Sequence, residues 1–327
     1  MAVDRRPLTR REALAIGWGV GMGLALGRIP LTPRAAAARS ERQEAALLTR
    51  PIPSTGARIP VIGIGTARRY NVGSSEAERA PLREVLLAFA RMGGSVVDTA
   101  PSYGTAESVV GALVADLGIR DRLFIATKVG GGARGVEVGL AEMRQSLTRL
   151  RTNSLDLLQV HNLAGVDAIL PVLRDWKREG RIRYLGVSTS FERQHGALVA
   201  LMQREALDFI QVDYAIDNRA AADRILPLAA DRGIAVLTNL PFGRGRVFQV
   251  FGDRPVPEWA AELGIASWAQ FALKYVVSHP AVTCAIPGTA TPAYLADNLG
   301  AAREPLPGET TRRRMAALVD EAPGRAR

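Results

Sequence analysis

The stretch Val96-Val97-Asp98-Thr99-Ala100-Pro101-Ser102-Tyr103-Gly104 joins a short apolar run to an acid, a turn and a tyrosine. The apolar run predicts a buried strand that ends on the carboxylate of Asp98. Pro101 and Gly104 predict a turn, which presents the phenol of Tyr103. Polar groups at the carboxyl end of a strand are typical of the functional face of a parallel α/β barrel. A plain strand end whose aspartate caps the next helix is the alternative, and neighbouring segments decide between the two.

Short apolar runs alternate with longer amphipathic runs on both sides of this stretch. Strands are predicted at Val61–Gly65, Ser95–Asp98, Leu123–Lys128, Leu155–Val160, Tyr184–Ser188, Phe209–Val212, Ala235–Asn239 and Val282–Ile286. Helices are predicted over residues 76–92, 106–117, 137–150, 167–179, 192–205, 221–232, 267–278 and 292–302. This strict alternation predicts a (β/α)8 TIM barrel over residues 49–303. A turn at Ser54-Thr55-Gly56 predicts an N-terminal β-hairpin before it, and residues 304–327 form a polar C-terminal tail.

Residues 1–40 differ from the rest of the chain. Arg10 and Arg11 precede a weakly apolar, glycine-diluted run that is too short to span a bilayer comfortably, and small residues follow it. This pattern resembles a twin-arginine export signal cleaved near residue 38. The resemblance implies that export machinery recognises the leader, that the folded protein passes from the cytoplasm to the periplasm or beyond, and that no stable transmembrane segment remains after cleavage. An N-terminal anchor is the alternative.

Charge and cysteine content narrow the function classes. The formal net charge is +10, and about half of this excess lies in the first 42 residues. The remaining mild excess is explained by a solvated basic face, so nucleic-acid binding is not expected. The single cysteine, Cys284, excludes an intrachain disulfide and a cysteine-rich metal site, and its apolar surroundings predict core packing.

Three successive predicted strands carry ionisable groups at or just beyond their ends. Asp98 and Tyr103 follow the second barrel strand, Lys128 ends the third, and His161 follows the fourth. Strand ends of a barrel face one mouth, so these side chains are expected to converge. A lysine cation favours a nearby phenolate, an aspartate orients the lysine, and a histidine donates to a carbonyl oxygen. A structural ion pair, a core histidine and a surface tyrosine are the alternatives. One histidine is too few for the usual metal site, so no metal is expected.

The chain resembles the aldo/keto reductase superfamily from about residue 50 to residue 302. Asp98, Tyr103, Lys128 and His161, here called the tetrad, carry part of the resemblance. The other matching motifs are Gly63-Ile64-Gly65-Thr66, Thr127-Lys128, Leu158-Gln159-Val160-His161-Asn162, Gly180-Arg181-Ile182-Arg183-Tyr184-Leu185-Gly186-Val187-Ser188 and Ile286-Pro287-Gly288-Thr289.

The resemblance implies that NADP(H) or NAD(H) exchanges a hydride directly with an aldehyde, a ketone or the corresponding alcohol. It makes Tyr103 the general acid or base, supported by Lys128, which Asp98 holds, and it makes His161 the group that orients the carbonyl. By the same resemblance Asn162, Ser188 and Gln211 hold the nicotinamide carboxamide. The remaining cofactor contacts that it implies are Gly65, Thr66, Asn239, Leu240, Pro241, Gly243, Gly288, Thr289 and Asn298.

Three positions depart from the family pattern. Asn239 stands where a tyrosine commonly stacks on the nicotinamide, which predicts looser binding of the cofactor. Gly288 and Tyr294 stand where many members place a lysine and an arginine on the adenosine 2′-phosphate. Arg244 and Arg246 in the long loop are alternative cations for that phosphate, so both NADP(H) and NAD(H) stay open.

The substrate is expected to be a small carbonyl compound or a sugar-like alcohol, because the tail is too short for a large aromatic clamp. Tyr70 is expected to line the pocket, whereas Trp259 and Trp268 are expected to pack in the core. A function of another class is also open: a non-catalytic exported barrel that binds a nucleotide or sugar as a sensor or partner subunit. The tetrad argues against this function, since pure binding has no need of a lysine beside the tyrosine.

Overall fold

The computed structural model of the protein describes residues 46–322, so the predicted export leader lies outside the described residues. An antiparallel hairpin, β1 (Thr49–Pro51) and β2 (Arg58–Pro60), opens the described part, with Thr49 opposite Pro60. The Thr55 hydroxyl in its turn lies 2.8 Å from the Tyr184 hydroxyl inside the barrel. The predicted hairpin is therefore confirmed, and it closes the amino-terminal end of the barrel.

Eight parallel strands form one curled sheet in which each strand pairs with its neighbour in the chain. They are β3 (Ile64–Gly65), β4 (Val96–Asp98), β5 (Phe124–Val129), β6 (Leu155–Val160), β7 (Ile182–Thr189), β8 (Phe209–Asp213), β9 (Ala235–Asn239) and β10 (Cys284–Ala285). Isolated parallel bridges, Ile62 to Ala285 and Gly65 to Gly288, join the two edges. The predicted (β/α)8 barrel is confirmed, and its first and last strands are shorter than predicted because they meet only through these bridges.

Helices follow the strands in the predicted alternation. They are α1 (Glu76–Arg91), α2 (Ala106–Leu117), α3 (Val136–Arg149), α4 (Val166–Arg178), α5 (His195–Arg204), α6 (Ala221–Asp231), α7 (Arg246–Phe251), α8 (Trp268–Val277), α9 (Pro292–Gly300) and α10 (Glu309–Asp320). None of the helices within residues 46–322 is both long and apolar enough to cross a membrane. Two of them, α7 and α10, are not among the eight predicted helices.

Helix α10 lies in the segment that the sequence predicts as a polar tail. Its Met315 and Val319, four residues apart, are fully buried. Arg312 donates to the Tyr214 hydroxyl and to Ser278 Oγ, both at 2.7 Å, and also to the Tyr275 carbonyl. Two buried apolar residues among charged neighbours are too few to predict a packed helix from the sequence. The two buried side chains and the hydrogen bonds of Arg312 nevertheless hold α10 against the outside of the barrel.

The barrel lumen has its own apolar core, separate from the core between strands and helices. Alternate residues of the strands point inward, as the period of two requires. Phe124, Tyr184 and Phe209 pack there with ring centroids 5.5 to 5.8 Å apart, and Cys284 lies in the same cluster. The prediction that the cysteine is a core residue is confirmed.

Aromatic residues outside the lumen test three further predictions. Trp268 stacks on Phe251 at 3.6 Å between ring centroids, and Trp259 meets Phe271 edge to face, so both tryptophans pack as predicted. Tyr70 is wrongly predicted to line the pocket. Its side chain is fully buried in the outer core, because the loop after β3 turns the ring inward.

Candidate active site

A buried ion pair lies at the carboxyl end of the barrel. Lys128 Nζ donates to both carboxylate oxygens of Asp98, at 2.8 and 2.7 Å, and to the Thr99 carbonyl at 2.9 Å. The side chains of Lys128 and Asp98 are only 2% and 3% exposed. Asp98 ends β4 and Lys128 lies on the neighbouring strand β5, so parallel pairing brings them together. The three acceptors use all three ammonium protons, which fixes the lysine in position.

Burial and the attraction between the two charges shift the pKa values of Asp98 and Lys128 in opposite directions. Burial disfavours both charges, which raises the pKa of Asp98 and works to lower the pKa of Lys128. The Asp98 carboxylate, together with the Tyr103 phenol, overcomes burial at the lysine and holds the pKa of Lys128 above its ordinary value. With two short contacts to one carboxylate, Lys128 is a cation at neutral pH.

Tyr103 lies between this cation and a histidine. Lys128 Nζ is 5.2 Å from the centroid of the Tyr103 ring, and the His161 ring centroid is 6.1 Å from it, at an interplanar angle of 86°. Tyr103 is partly exposed, unlike the ion pair beneath it. The structure therefore brings together all four residues of the predicted tetrad, and Tyr103 is the member that joins the buried charges to the mouth.

His161 is neutral over the physiological range. Burial lowers its pKa to about 4, and the Lys128 cation acts in the same direction. A neutral imidazole carries one N–H, so it is able to donate one hydrogen bond and to accept another. Its Nδ1 is 3.5 Å from the hydroxyl oxygen of Ser102, which lies in the turn between Asp98 and Tyr103.

Two glutamines face Asp98 inside the lumen. Gln211 and Gln159 are buried, and both favour the ionised form of the Asp98 carboxyl. Gln211 is a predicted nicotinamide contact, and its Oε1 has no hydrogen-bond partner within residues 46–322. Gln159 is not among the predicted site residues. Its position two residues before His161 on the same strand is the signal that places it on the inward face.

Strained backbone marks the loops at the mouth. Asn162 and Leu163, directly after His161, have φ values of 53° and 57°, and Leu240, directly after Asn239, has a φ of 50°. A left-handed conformation is costly for residues with a Cβ, above all for leucine, and it clusters at functional sites. Asn162 and Leu240 are both among the predicted cofactor contacts.

The mouth has features that fit a nicotinamide dinucleotide. Gly65 and Gly288 pair at the barrel edge and offer bare backbone. A Cβ on Gly65 would lie 2.7 Å from the Ile286 carbonyl, so glycine is required there. The predicted cofactor contacts include three buried acceptors without a partner in the described chain, which are Thr66 Oγ1, Gln211 Oε1 and Asn239 Oδ1. A carboxamide NH2 group needs acceptors of this kind.

The other predicted contacts occupy the same mouth. The backbone N–H of Asn162 donates to Ser188 Oγ at 3.4 Å, and Asn239 Nδ2 donates to the Thr189 carbonyl at 3.3 Å. Thr289 Oγ1 accepts from Asn298 Nδ2 at 2.9 Å. These side chains are ordered by contacts with the protein at or next to the strand ends. Pro241 and Gly243 are buried in the loop after β9.

Two acidic residues outside the predicted site lie at and just after the carboxyl end of β8: Asp213 is the last residue of the strand, and Asp217 lies in the loop that follows. Burial raises the pKa of Asp213 to about 6, a change that its hydrogen bond from Asn218 opposes. Asp217 accepts from Arg246 Nε at 2.8 Å and packs against Gly243. This ion pair ties the loop after β8 to the start of α7 and engages one of the arginines considered for the 2′-phosphate.

Within residues 46–322, no three histidine, cysteine or acidic side chains lie together in a way that could hold a metal ion. A neutral imidazole and a phenol beside a lysine cation are suited to donating hydrogen bonds, and a proton, to one oxygen atom.

Comparisons with known proteins agree with this geometry. A model of the aldo/keto reductase family matches residues 61–317. Aldo-keto reductase YhdN of Bacillus subtilis is 30% identical over 211 residues, which cover 59% of this chain and 62% of that protein. Methylglyoxal reductase YeaE of Escherichia coli is 28% identical, over 73% of this chain and 84% of that protein.

A solved structure supports the same assignment. The aldo/keto reductase of Klebsiella pneumoniae in complex with NADP and acetate superposes with a TM-score of 0.68 at 27% identity. The superposition covers 83% of this chain and 95% of that one. Together with the family match and the convergent tetrad, this means that the chain belongs to the aldo/keto reductase family and is an NAD(P)-dependent oxidoreductase.

Proposed function

We propose that the protein reduces a small aldehyde or ketone, or oxidises the corresponding alcohol, with Tyr103 as the general acid or base. The observation that carries the proposal is the position of the Tyr103 ring, 5.2 Å from Lys128 Nζ and next to His161. A phenol that is partly exposed at the mouth, with a buried cation behind it, is able to meet a carbonyl oxygen.

The roles of the other three residues follow from their contacts. Asp98 supplies the counter-charge that keeps the buried Lys128 amine protonated. The resulting cation stabilises the negative charge that forms on the Tyr103 oxygen when its proton leaves. Neutral His161 donates its N–H to the same carbonyl oxygen and orients it. When bound, the nicotinamide cofactor supplies the hydride that the carbonyl carbon receives. In alcohol oxidation Tyr103 accepts the proton instead.

The cofactor and the substrate are proposed on the features of the mouth and on the relatives. The unpartnered acceptors at Gln211 and Asn239 suit a carboxamide, and the Klebsiella neighbour was solved with NADP. The relative from Escherichia coli is named as a methylglyoxal reductase, which supports a small carbonyl substrate. We propose NADP(H) as the cofactor, with NAD(H) as the alternative that the binding experiment distinguishes.

The place of action is proposed from residues 1–40 alone. Arg10 and Arg11 precede the weakly apolar run of the twin-arginine pattern. We propose that the folded protein is exported through this leader. Replacing both arginines with lysine is expected to keep the protein in the cytoplasm in a cell-fractionation experiment. Unchanged appearance in the periplasm would contradict the proposal.

The test of activity uses the full chain and two variants. We expect NADPH or NADH fluorescence to change on binding, followed by oxidation of the reduced cofactor with small carbonyl compounds such as methylglyoxal. Tyr103→Phe is expected to bind the cofactor and lose at least about 100-fold in turnover, the scale of general acid catalysis. Tyr184→Phe makes the same chemical change at the far end of the barrel and is expected to keep activity. Failure to bind either dinucleotide would refute the proposal and leave a sensor function.

A further inference from the structure

The first loop at the barrel mouth lies against the end of β10. The Cγ atom of Arg69 is 3.6 Å from the place that a Cβ on Gly288 would take, which is ordinary van der Waals contact. The backbone of Gly288 is outside the left-handed region, and no closer atom approaches. Glycine is therefore not required there by its conformation. A side chain at Gly288 would instead start in contact with the stem of Arg69, so the two positions share one place at the mouth.

The Arg69 guanidinium group is available for a ligand. Its side chain is exposed and makes no hydrogen bond or ion pair with any residue of the range 46–322. The acid of α9, Asp297, is occupied by Ser267 Oγ at 2.8 Å and by Gln270 Nε2 at 2.8 Å. Arg246, in contrast, is held by Asp217. An arginine without a carboxylate partner is suited to bind a phosphate dianion through two parallel hydrogen bonds.

The backbone that carries Arg69 is well anchored. The amides of Arg69 and Tyr70 both donate to the Thr66 carbonyl, at 3.1 and 3.0 Å, and the Thr66 amide donates to the Asp98 carbonyl at 3.0 Å. The fully buried Tyr70 ring fixes the next position. The stem of Arg69 therefore starts from a fixed point at the mouth, which limits the entropy lost when the guanidinium group binds.

We propose that Arg69 binds the adenosine 2′-phosphate of NADP(H) and thereby sets the preference for NADP(H) over NAD(H). This inference rests on the proposed function. Gly65 and Gly288 pair at the barrel edge and carry no side chains, so a dinucleotide is able to extend from the tetrad along their backbone. Arg69 lies next to Gly288 at this edge. The two cofactors differ only in this phosphate, so one well-placed cation is sufficient to distinguish them.

The test measures equilibrium binding of nucleotide fragments, without any hydride transfer. The full chain is titrated calorimetrically with 2′,5′-ADP and with 5′-AMP, and NADPH and NADH are titrated by fluorescence. We expect Arg69→Gln to reduce the preference for the 2′-phosphate by about 10- to 100-fold, as the loss of one charge-assisted contact implies. Arg91→Gln removes an exposed arginine at the last turn of α1, at the other end of the barrel, and is expected to change nothing.

A rescue variant separates charge from structure. Arg69→Gln combined with Gly288→Lys returns a cation to the same place and is expected to restore much of the preference. Equal weakening of NADPH and NADH in Arg69→Gln would assign the arginine to the shared pyrophosphate and overturn the inference. An unchanged preference, or a wild type without one, would also overturn it. If neither NADPH nor NADH binds, the proposed function itself fails.

Discussion

Lys128 Nζ lies 2.7 Å from Asp98 Oδ2 with both side chains buried, so the cation behind Tyr103 is held by a carboxylate that water does not reach. The charges are costly to bury separately and are stable only as a pair. The same contact therefore supports the fold and prepares the proposed acid.

The first prediction concerns this pair. Asp98→Asn leaves the lysine without its counter-charge and is expected to destabilise the protein by about 3–5 kcal/mol, the usual effect of breaking a buried ion pair. The measurement is urea unfolding followed by circular dichroism. Glu309→Gln, which breaks the exposed pair with Arg313, is the control and is expected to cost less than about 1 kcal/mol. Similar losses for the two variants would contradict the buried character of the Asp98 pair.

The second prediction concerns pH and His161. The pKa of His161 is about 4 in the folded protein and near 6.5 when unfolded, so the unfolded chain binds the proton more readily. The stability that this residue contributes is therefore complete above about pH 6.5 and is lost as pH falls towards 4. His279 acts in the same sense, and the raised pKa of Asp213 acts in the opposite sense.

The effect of His161 is isolated by difference. The free energy of unfolding of wild type and of His161→Gln is measured between pH 7 and pH 4.5. We expect the wild type to lose stability relative to the variant as pH falls, with a slope of at most one proton. A constant difference across this range would mean that the imidazole is not buried in its neutral form.

The third prediction concerns Asn239, which stands where a stacking tyrosine is usual in the family. The side chain donates to Thr189, and its oxygen has no partner within residues 46–322. Asn239→Tyr is expected to bind NADPH several-fold more tightly than Asn239→Leu, because an aromatic contact adds about 0.5–1.5 kcal/mol. Fluorescence titration gives the dissociation constant. Asn239→Leu, which loses the amide without adding a ring, is the control, and equal affinities for the two variants would exclude stacking.

The fourth prediction concerns the helix near the C-terminus. Arg312 donates to the Tyr275 carbonyl, to Ser278 and to Tyr214, and its guanidinium lies 4.4 Å from the Tyr275 ring centroid. Arg312→Leu is expected to destabilise the protein by about 2–4 kcal/mol, since it leaves buried acceptors without a donor. Arg313→Leu, on the exposed face of the same helix, is expected to have an effect below about 0.5 kcal/mol. A free energy of unfolding equal for both variants would refute the anchoring role.

Much of the barrel was predictable because its signals are local. The alternation of apolar and amphipathic runs repeats over about 10 to 40 residues and requires no knowledge of the partner strand. Parallel strands also place their ends on one face, so Asp98, Tyr103, Lys128 and His161 were identified as one site from their order alone. Helix α10 was missed because only Met315 and Val319 of its residues are buried, too few to show a clear apolar face.

What the sequence by itself determined is the set of strands, the helices that alternate with them, and the residues at the strand ends. What only the tertiary structure decided are contacts between segments far apart in the chain. Arg69 beside Gly288, Asp217 with Arg246, and the inward turn of Tyr70 belong to this group. The physical reason is that periodicity reports which face of an element is buried, whereas the closure of the barrel alone determines which distant loop that face meets.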